Sequence, residues 1–309
     1  MSYMRSPLVS IAIPAKNEEI ALERFLKTLR GQKYKNVEII VVDGHSTDNT
    51  VGVAKKYGAR VVSEYGKHKS PANARNIGIE KSKGELIAVL DSDVEVNPDF
   101  IKKTVDVYLK NKENFFGTLY YNKICDDSFL SRIRGAYVQA MVSNLVPIPI
   151  FIKAKYAKTI GRWDPSIGFG EDRLYEAQID NYLKMHKKLK LFRVNNVIKL
   201  HVTHTVNELL SQQRWYGRTI PFYLEKTKRK KDYLTLLKVG YVLLPFSFFY
   251  LPILVISLPF WALTLYHTVR ALVKGLVHGF YIPFLDVIMG FGFLVGLIEH
   301  VFRKARGRD

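Results

Sequence analysis

Leu86-Ile87-Ala88-Val89-Leu90-Asp91-Ser92-Asp93 runs from a short apolar strand straight into two aspartates one residue apart. A continuous apolar run of this length reads as a strand covered on both faces. The same pattern recurs upstream. Residues 9–14 and 37–42 are strand-like, and each is followed by polar residues: Pro14-Ala15-Lys16-Asn17-Glu18 after the first, Asp43-Gly44-His45-Ser46-Thr47-Asp48 after the second. Helical patterns fall between them at 18–30, 48–57 and 71–81, with a further strand at 60–63. The helix at 18–30 carries an apolar stripe of Ile20, Leu22, Phe25, Leu26 and Leu29. Alternating strands and helices predict a mainly parallel α/β sheet of Rossmann-like type, with helices on both faces. Ligands of such sheets bind beyond the carboxyl ends of the strands, where these carboxylates stand.

No G-x-G-x-x-G or G-x-x-x-x-G-K segment follows a strand, which argues against a dinucleotide oxidoreductase or a P-loop ATPase. Asp-x-Asp at a strand end suits a hard divalent cation, Mg2+ or Mn2+, that also takes phosphate oxygens. Taken alone, the pair reads equally well as a turn cap. The 309 residues are 48% hydrophobic and 24% charged, which excludes wholesale disorder. Lys and Arg number 47 against 28 Asp and Glu, a net charge of +19 that suits nucleic acid, an anionic membrane or an anionic substrate. The single cysteine, Cys125, excludes an internal disulfide.

The C-terminal part reads as membrane-embedded. Residues 239–269 contain no Asp, Glu, Lys or Arg, and a second apolar stretch occupies 275–298. Two spans are predicted, at about 239–264 and 275–298, each long enough to cross a bilayer. Pro245, Pro252 and Pro259 interrupt the first. Lys226, Lys228, Arg229, Lys230, Lys231 and Lys238 precede the pair, and Arg303, Lys304, Arg306 and Arg308 follow it. The positive-inside rule then puts both ends in the cytoplasm. Residues 1–232 are then expected to form a cytoplasmic domain and 233–309 the membrane domain of a multi-pass protein in the cell membrane. No signal peptide is read at the N-terminus. Asp286, inside the second stretch, must be neutral or paired unless that stretch lies partly in the interface.

Four segments, VSIAIPAKNEE at 9–19, VVDGHSTDNT at 41–50, ARNIGIEKSKGELIAVLDSDVEV at 74–96 and GRWDPSIGFGEDRLYEAQ at 161–178, resemble in order and spacing the inverting family 2 glycosyltransferases of GT-A fold. The resemblance implies the following roles. Pro14, Ala15, Asn17, Glu18 and Asp43 bind the nucleoside of a nucleotide-diphosphate sugar. Arg75 reaches the base or the diphosphate. Asp91 lies near the sugar or metal, and Asp93 ligates the metal, Mn2+ or Mg2+, with His204 a further candidate ligand. Asp172 is the base that takes the acceptor's proton, and Glu171 supports it or binds acceptor. Asp48 caps the helix after it.

Ser211-Gln212-Gln213-Arg214-Trp215 is similar to the Q-x-x-R-W box of cellulose-synthase-like members, with serine in the first position. By that likeness Gln212, Gln213, Arg214 and Trp215 meet the acceptor or the diphosphate. The whole resembles minimal archaeal mannosyltransferases of N-glycan assembly. It implies transfer of mannose from GDP-mannose, with a UDP-sugar as the other donor, to a lipid-linked acceptor. Nucleic acid is not expected as a partner. The rival readings are a synthase charging dolichyl phosphate with one sugar, and a basic membrane adaptor or nucleic-acid-binding protein without activity.

Overall fold

Strand β1 (Val9–Ala15) is buried at nearly every residue because both faces of the sheet are covered. In this computed structural model, which describes residues 6–125, 128–141, 150–201, 205–227, 230–247, 249 and 251–306, β1 lies inside an eight-stranded sheet. It pairs in parallel with β2 (Val37–Asp43) and β4 (Leu86–Val89), and β2 pairs in parallel with β3 (Arg60–Ser63). The connecting helices are α1 (Glu19–Arg30), α2 (Thr50–Lys56) and α3 (Pro71–Lys81). Helix α1 buries Leu22, Phe25, Leu26 and Leu29, whereas Ile20, expected in the same stripe, is exposed. Helix α3 starts at Ser70, whose hydroxyl accepts from the Asn73 N–H, followed by Pro71 in the first turn. Gly78 lets α3 press onto β1, since a Cβ there would stand 2.7 Å from the Ala12 Cβ.

Only this half of the sheet is parallel. Between β4 and β5 (Val94–Val96) there is a turn and no crossover helix, so β5 cannot lie parallel beside β4. It pairs antiparallel with β8 (Lys190–His201). Helix α4 (Phe100–Lys110) leads to β6 (Phe115–Cys125). Helix α5 (Phe129–Met141) then precedes β7 (Phe151–Lys153), which pairs antiparallel with both β4 and β6. The strand order is β3-β2-β1-β4-β7-β6-β8-β5, a mixed sheet of GT-A type rather than a mainly parallel one. Phe25, Phe100, Phe115, Tyr120 and Phe151 centre its main core. Helices α6 (Ala154–Ala157) and α7 (Glu171–Met185) complete the sheet unit, which comprises Met1–Lys123, Asn144–Ser166 and Glu171–Leu200.

The second unit comprises Ile124–Ser143, Ile167–Gly170 and His201–Asp309, so it takes in segments upstream of residue 233. It holds α5, α8 (Val206–Thr227), a 3-10 segment (Lys230–Phe246), α9 (Leu251–Val273) and α10 (Ile282–Ala305). The first apolar stretch is therefore not one helix over 239–264. Pro245 lies in the 3-10 segment, and Pro252 is tolerated at the start of α9 because the first helical N–H groups need no partner there. Likewise α10 starts at Ile282, not 275, with proline in its first turn. Both helices are long and apolar enough to cross a membrane. Helix α9 exposes Val255, Ile256, Leu258 and Leu265. Asp286 is fully buried and accepts a hydrogen bond from the Thr264 hydroxyl. Helices α8 and α10 meet backbone to backbone: a Cβ on Gly217 would fall 1.9 Å from the Phe293 carbonyl oxygen, and one on Gly296 2.0 Å from that of Arg214.

Candidate active site

The strand ends β1 and β2 lie side by side, with Ala15 opposite Asp43 and the Gly44 N–H donating to the Ala15 carbonyl at 2.8 Å. Two residues outside glycine adopt positive φ here, Asn17 (56°) and His45 (62°). Each follows a strand end, where the chain must turn sharply out of the sheet. Their loops are tied together. The Asn17 side-chain oxygen accepts from the Thr47 N–H at 2.8 Å, and the Ser46 hydroxyl accepts from the Asn17 N–H at 2.9 Å. The Asp43 carboxylate accepts from the Ser46 N–H at 3.2 Å. Asp48 accepts from the Thr50 N–H at the start of α2, but it stands one residue before the N-cap position, Asn49, and so is not the cap expected. Pro14, Ala15, Asn17, Glu18 and Asp43 thus form one cluster. Glu64, which the sequence reading passed over, anchors the entry to α3 by accepting from the Ser70 N–H and the Asn73 amide.

The second cluster is built on Arg75, from the middle of α3. Its guanidinium donates to both Asp91 oxygens at 3.0 and 3.2 Å and to Glu171 at 3.3 Å, and Asp172 lies at 3.9 Å. Arg75 is buried, and burial alone would weaken its charge; Asp91, Asp172 and Glu171 override that and keep it protonated. The guanidinium expected at the base or diphosphate is therefore enclosed by the carboxylates. It also lies over the Trp163 ring at 4.6 Å, and Tyr175 stacks on the same indole at 4.3 Å. Asn76 holds the Trp163 backbone at both ends, donating to its carbonyl at 2.8 Å and accepting from its N–H at 2.9 Å. Trp163 and Asn76 stand inside the quoted motifs, but nothing in their spacing announces the stack.

Asp172 and Glu171 open α7 and differ in access: 58% of the Asp172 side chain is exposed against 11% of Glu171. Burial raises the Glu171 carboxyl, helped by the Asp172 charge and opposed by Arg75. The recess around Asp172 raises its carboxyl too, although one face is open to water, and Arg75 opposes the shift. Asp93 is also open on one side yet crowded by protein. That crowding, then the Asp91 and Glu18 charges, push its carboxyl up to about 7. A divalent cation fits this donor set, since two hard carboxylates that repel each other gain from a positive charge between them. Among the described residues no three His, Cys, Asp or Glu side chains converge as a ready cage. Two carboxylates are what Mg2+ or Mn2+ requires when water and phosphate oxygens complete its shell. His204 lies outside the described residues.

The near Q-x-x-R-W segment belongs to the second unit. Gln212 accepts from Arg134, Gln213 is buried against α10, Arg214 pairs with Glu299, and half-buried Trp215 lies at a tilt against Tyr216. Beside them the loop at 167–170 rests on α8. Phe169 is edge-on to Tyr216, and Gly170, at φ 84°, lies so close to Tyr223 that a Cβ would stand 2.7 Å from its ring.

A sheet of this order with acidic strand ends defines the GT-A class. The family model described as Glycosyl transferase family 2 matches residues 10–169. The chain belongs to glycosyltransferase family 2. An uncharacterized glycosyltransferase of Haemophilus influenzae is 35% identical over 112 residues, which is 35% of this chain and only 45% of that relative. One of Rickettsia typhi is 25% identical over 242 residues, covering 73% of this chain and 74% of its own. Among solved structures, a mannosyltransferase from Pyrobaculum calidifontis in complex with GDP-Man and Mn2+ has a TM-score of 0.54 at 15% identity, covering 97% of this chain and 89% of that one. Glucosyl-3-phosphoglycerate synthase from Mycobacterium tuberculosis, with Mn2+ and UDP-glucose, has a TM-score of 0.50 at 20% identity over 71% of this chain and 78% of that one. These two likenesses concern the fold.

Proposed function

We propose that this chain is a membrane-attached, metal-dependent inverting glycosyltransferase that moves a hexose from a nucleotide-diphosphate sugar to a lipid-linked acceptor on the cytoplasmic face. The observation that carries the reading is the convergence of Asp91, Glu171 and Asp172 on Arg75, with Asp93 alongside. The cluster at Asn17 and Asp43 suits the nucleoside. Asp91 and Asp93 would hold a divalent cation, whose charge would offset that of the departing diphosphate. Asp172 has the exposed carboxylate and takes the acceptor hydroxyl's proton as the oxygen bonds to the anomeric carbon. The bond from that carbon to the diphosphate oxygen breaks on the opposite side, and the electron pair leaves with the nucleoside diphosphate. Glu171 and Arg75 hold Asp172 in place. The two apolar helices and the basic residues beside them support a lipid-linked acceptor. GDP-mannose is the donor to try first, because a structural neighbour that covers nearly the whole chain was solved with it; the place in N-glycan assembly rests on the sequence resemblance alone.

Calorimetry on the detergent-solubilised full chain tests the donor. GDP-mannose or UDP-glucose is expected to bind with Mn2+ and to lose affinity in EDTA. Asp172→Asn is expected to keep donor affinity and lower transfer by about 10²- to 10⁴-fold. Transfer at the parent rate would remove the base from Asp172.

A further inference from the structure

A guanidinium hydrogen-bonds in its plane and stacks on its faces, so two things fix its orientation: the acceptors at its edge and whatever covers its face. The edge of Arg75 is taken by Asp91 and Glu171, with Asp172 at ion-pair distance. Its central carbon lies over the Trp163 ring, 4.6 Å from the centroid, and that residue is only 5% exposed. The indole is itself immobilised. Tyr175 stacks on it at an interplanar angle of 18°, and the two Asn76 hydrogen bonds pin its backbone.

A second observation says what the indole is there for. Both the Trp163 ring N–H and the Tyr175 hydroxyl are buried without a hydrogen-bond partner among the described residues. A buried donor left unmade is a cost, so hydrogen bonding does not account for tryptophan at this position. The flat face does: a cation over an indole is held by the ring's quadrupole, and more strongly where water is excluded.

We propose that Trp163 is a positioning residue of the transfer reaction, its ring setting the plane of the Arg75 guanidinium and, through it, the orientation of Asp91, Glu171 and Asp172. The inference rests on the transferase reading given above. The contacts of Trp163 run to Arg75, Tyr175 and Asn76, so its loss is expected to act first on the acid cluster.

The test uses the full chain in detergent, with Trp163→Phe and Trp163→Leu. Phenylalanine keeps an aromatic face and removes the unmade donor. Leucine removes the face. Trp163→Leu is expected to lower kcat by about 10- to 100-fold, the scale of a small misplacement of reacting groups, with a smaller loss of donor affinity because Asp91 also belongs to the proposed metal site. Trp163→Phe is expected to restore kcat to within about five-fold of the parent on the same scale. The direct readout needs no substrate. With 15N-labelled arginine, the Arg75 side-chain signal should be ring-shifted and slow to exchange in the parent and in Trp163→Phe, and should return to the ordinary arginine position in Trp163→Leu. If leucine fails to fold, Trp163→Met fills the space without an aromatic face. An Arg75 signal unmoved by leucine or methionine overturns the proposal, as does transfer by Trp163→Leu at the parent rate. A parent protein that moves no sugar would instead defeat the transferase reading, and the arginine signal still decides whether Trp163 orients Arg75.

Discussion

Asp93 is crowded by protein and sits near Asp91 and Glu18, and that crowding, then the like charges, lift its carboxyl to about 7. The sign of the consequence follows by linkage. An aspartate in the unfolded chain titrates near ~3.9, so protonation of Asp93 favours the folded state. That stabilisation is complete below the unfolded value and lost as pH rises through about 7. A divalent cation needs the opposite, a deprotonated ligand. Saturating Mn2+ is therefore expected to raise the unfolding temperature by about 4 °C at pH 8 and by close to nothing at pH 5.5. Asp93→Asn should flatten the difference; an equal Mn2+ effect at both pH values would take Asp93 out of the metal site. Asp43, Asp91 and Asp93 were legible as candidates from their places after strands, whereas Arg75, Glu171 and Asp172 were named from the family resemblance. Their partnerships were not legible. Arg75 finds Asp91 sixteen positions on but Glu171 ninety-six positions on, and no local spacing states that one guanidinium is shared among three acids. The Trp163 platform escaped for the same reason.

Among the elements, the parallel half of the sheet was readable because each βαβ unit is local: an apolar strand, an amphipathic helix, then the next strand. The antiparallel half was not, since β5 pairs with β8 about a hundred residues away and β7 contributes only three residues, Phe151–Lys153. The apolar stretches were visible, but their helical limits depended on which proline ends a helix and which begins one. The contact of α8 with α10 is the least forgiving of these pairings. Gly296→Leu would drive a side chain into the backbone of Arg214 and should destabilise the second unit by about 3 kcal/mol. Thermal unfolding in detergent, followed by circular dichroism, measures it. Gly31→Ala serves as the comparison, because a Cβ there meets nothing nearer than 3.5 Å and its φ of −75° suits any residue. If both variants melt with the parent, the helices do not meet through these glycines.

At the scale of the molecule, +19 charges accompany two helices whose outer faces are apolar. The reading above places those helices in lipid, with basic residues against anionic headgroups. The full chain expressed with its host membranes should stay with them through alkaline carbonate, while deletion of 251–306 should release it; release of the intact chain by carbonate would make the attachment peripheral. Asp286 adds a consequence for how such a protein is made. Threaded alone into a bilayer, α10 would carry a carboxylate to its interior at about 3 kcal/mol. In the folded unit that carboxylate accepts a hydrogen bond from Thr264 of α9. On the membrane reading proposed above, insertion of α9 and α10 together as a hairpin is favoured over insertion of α10 alone.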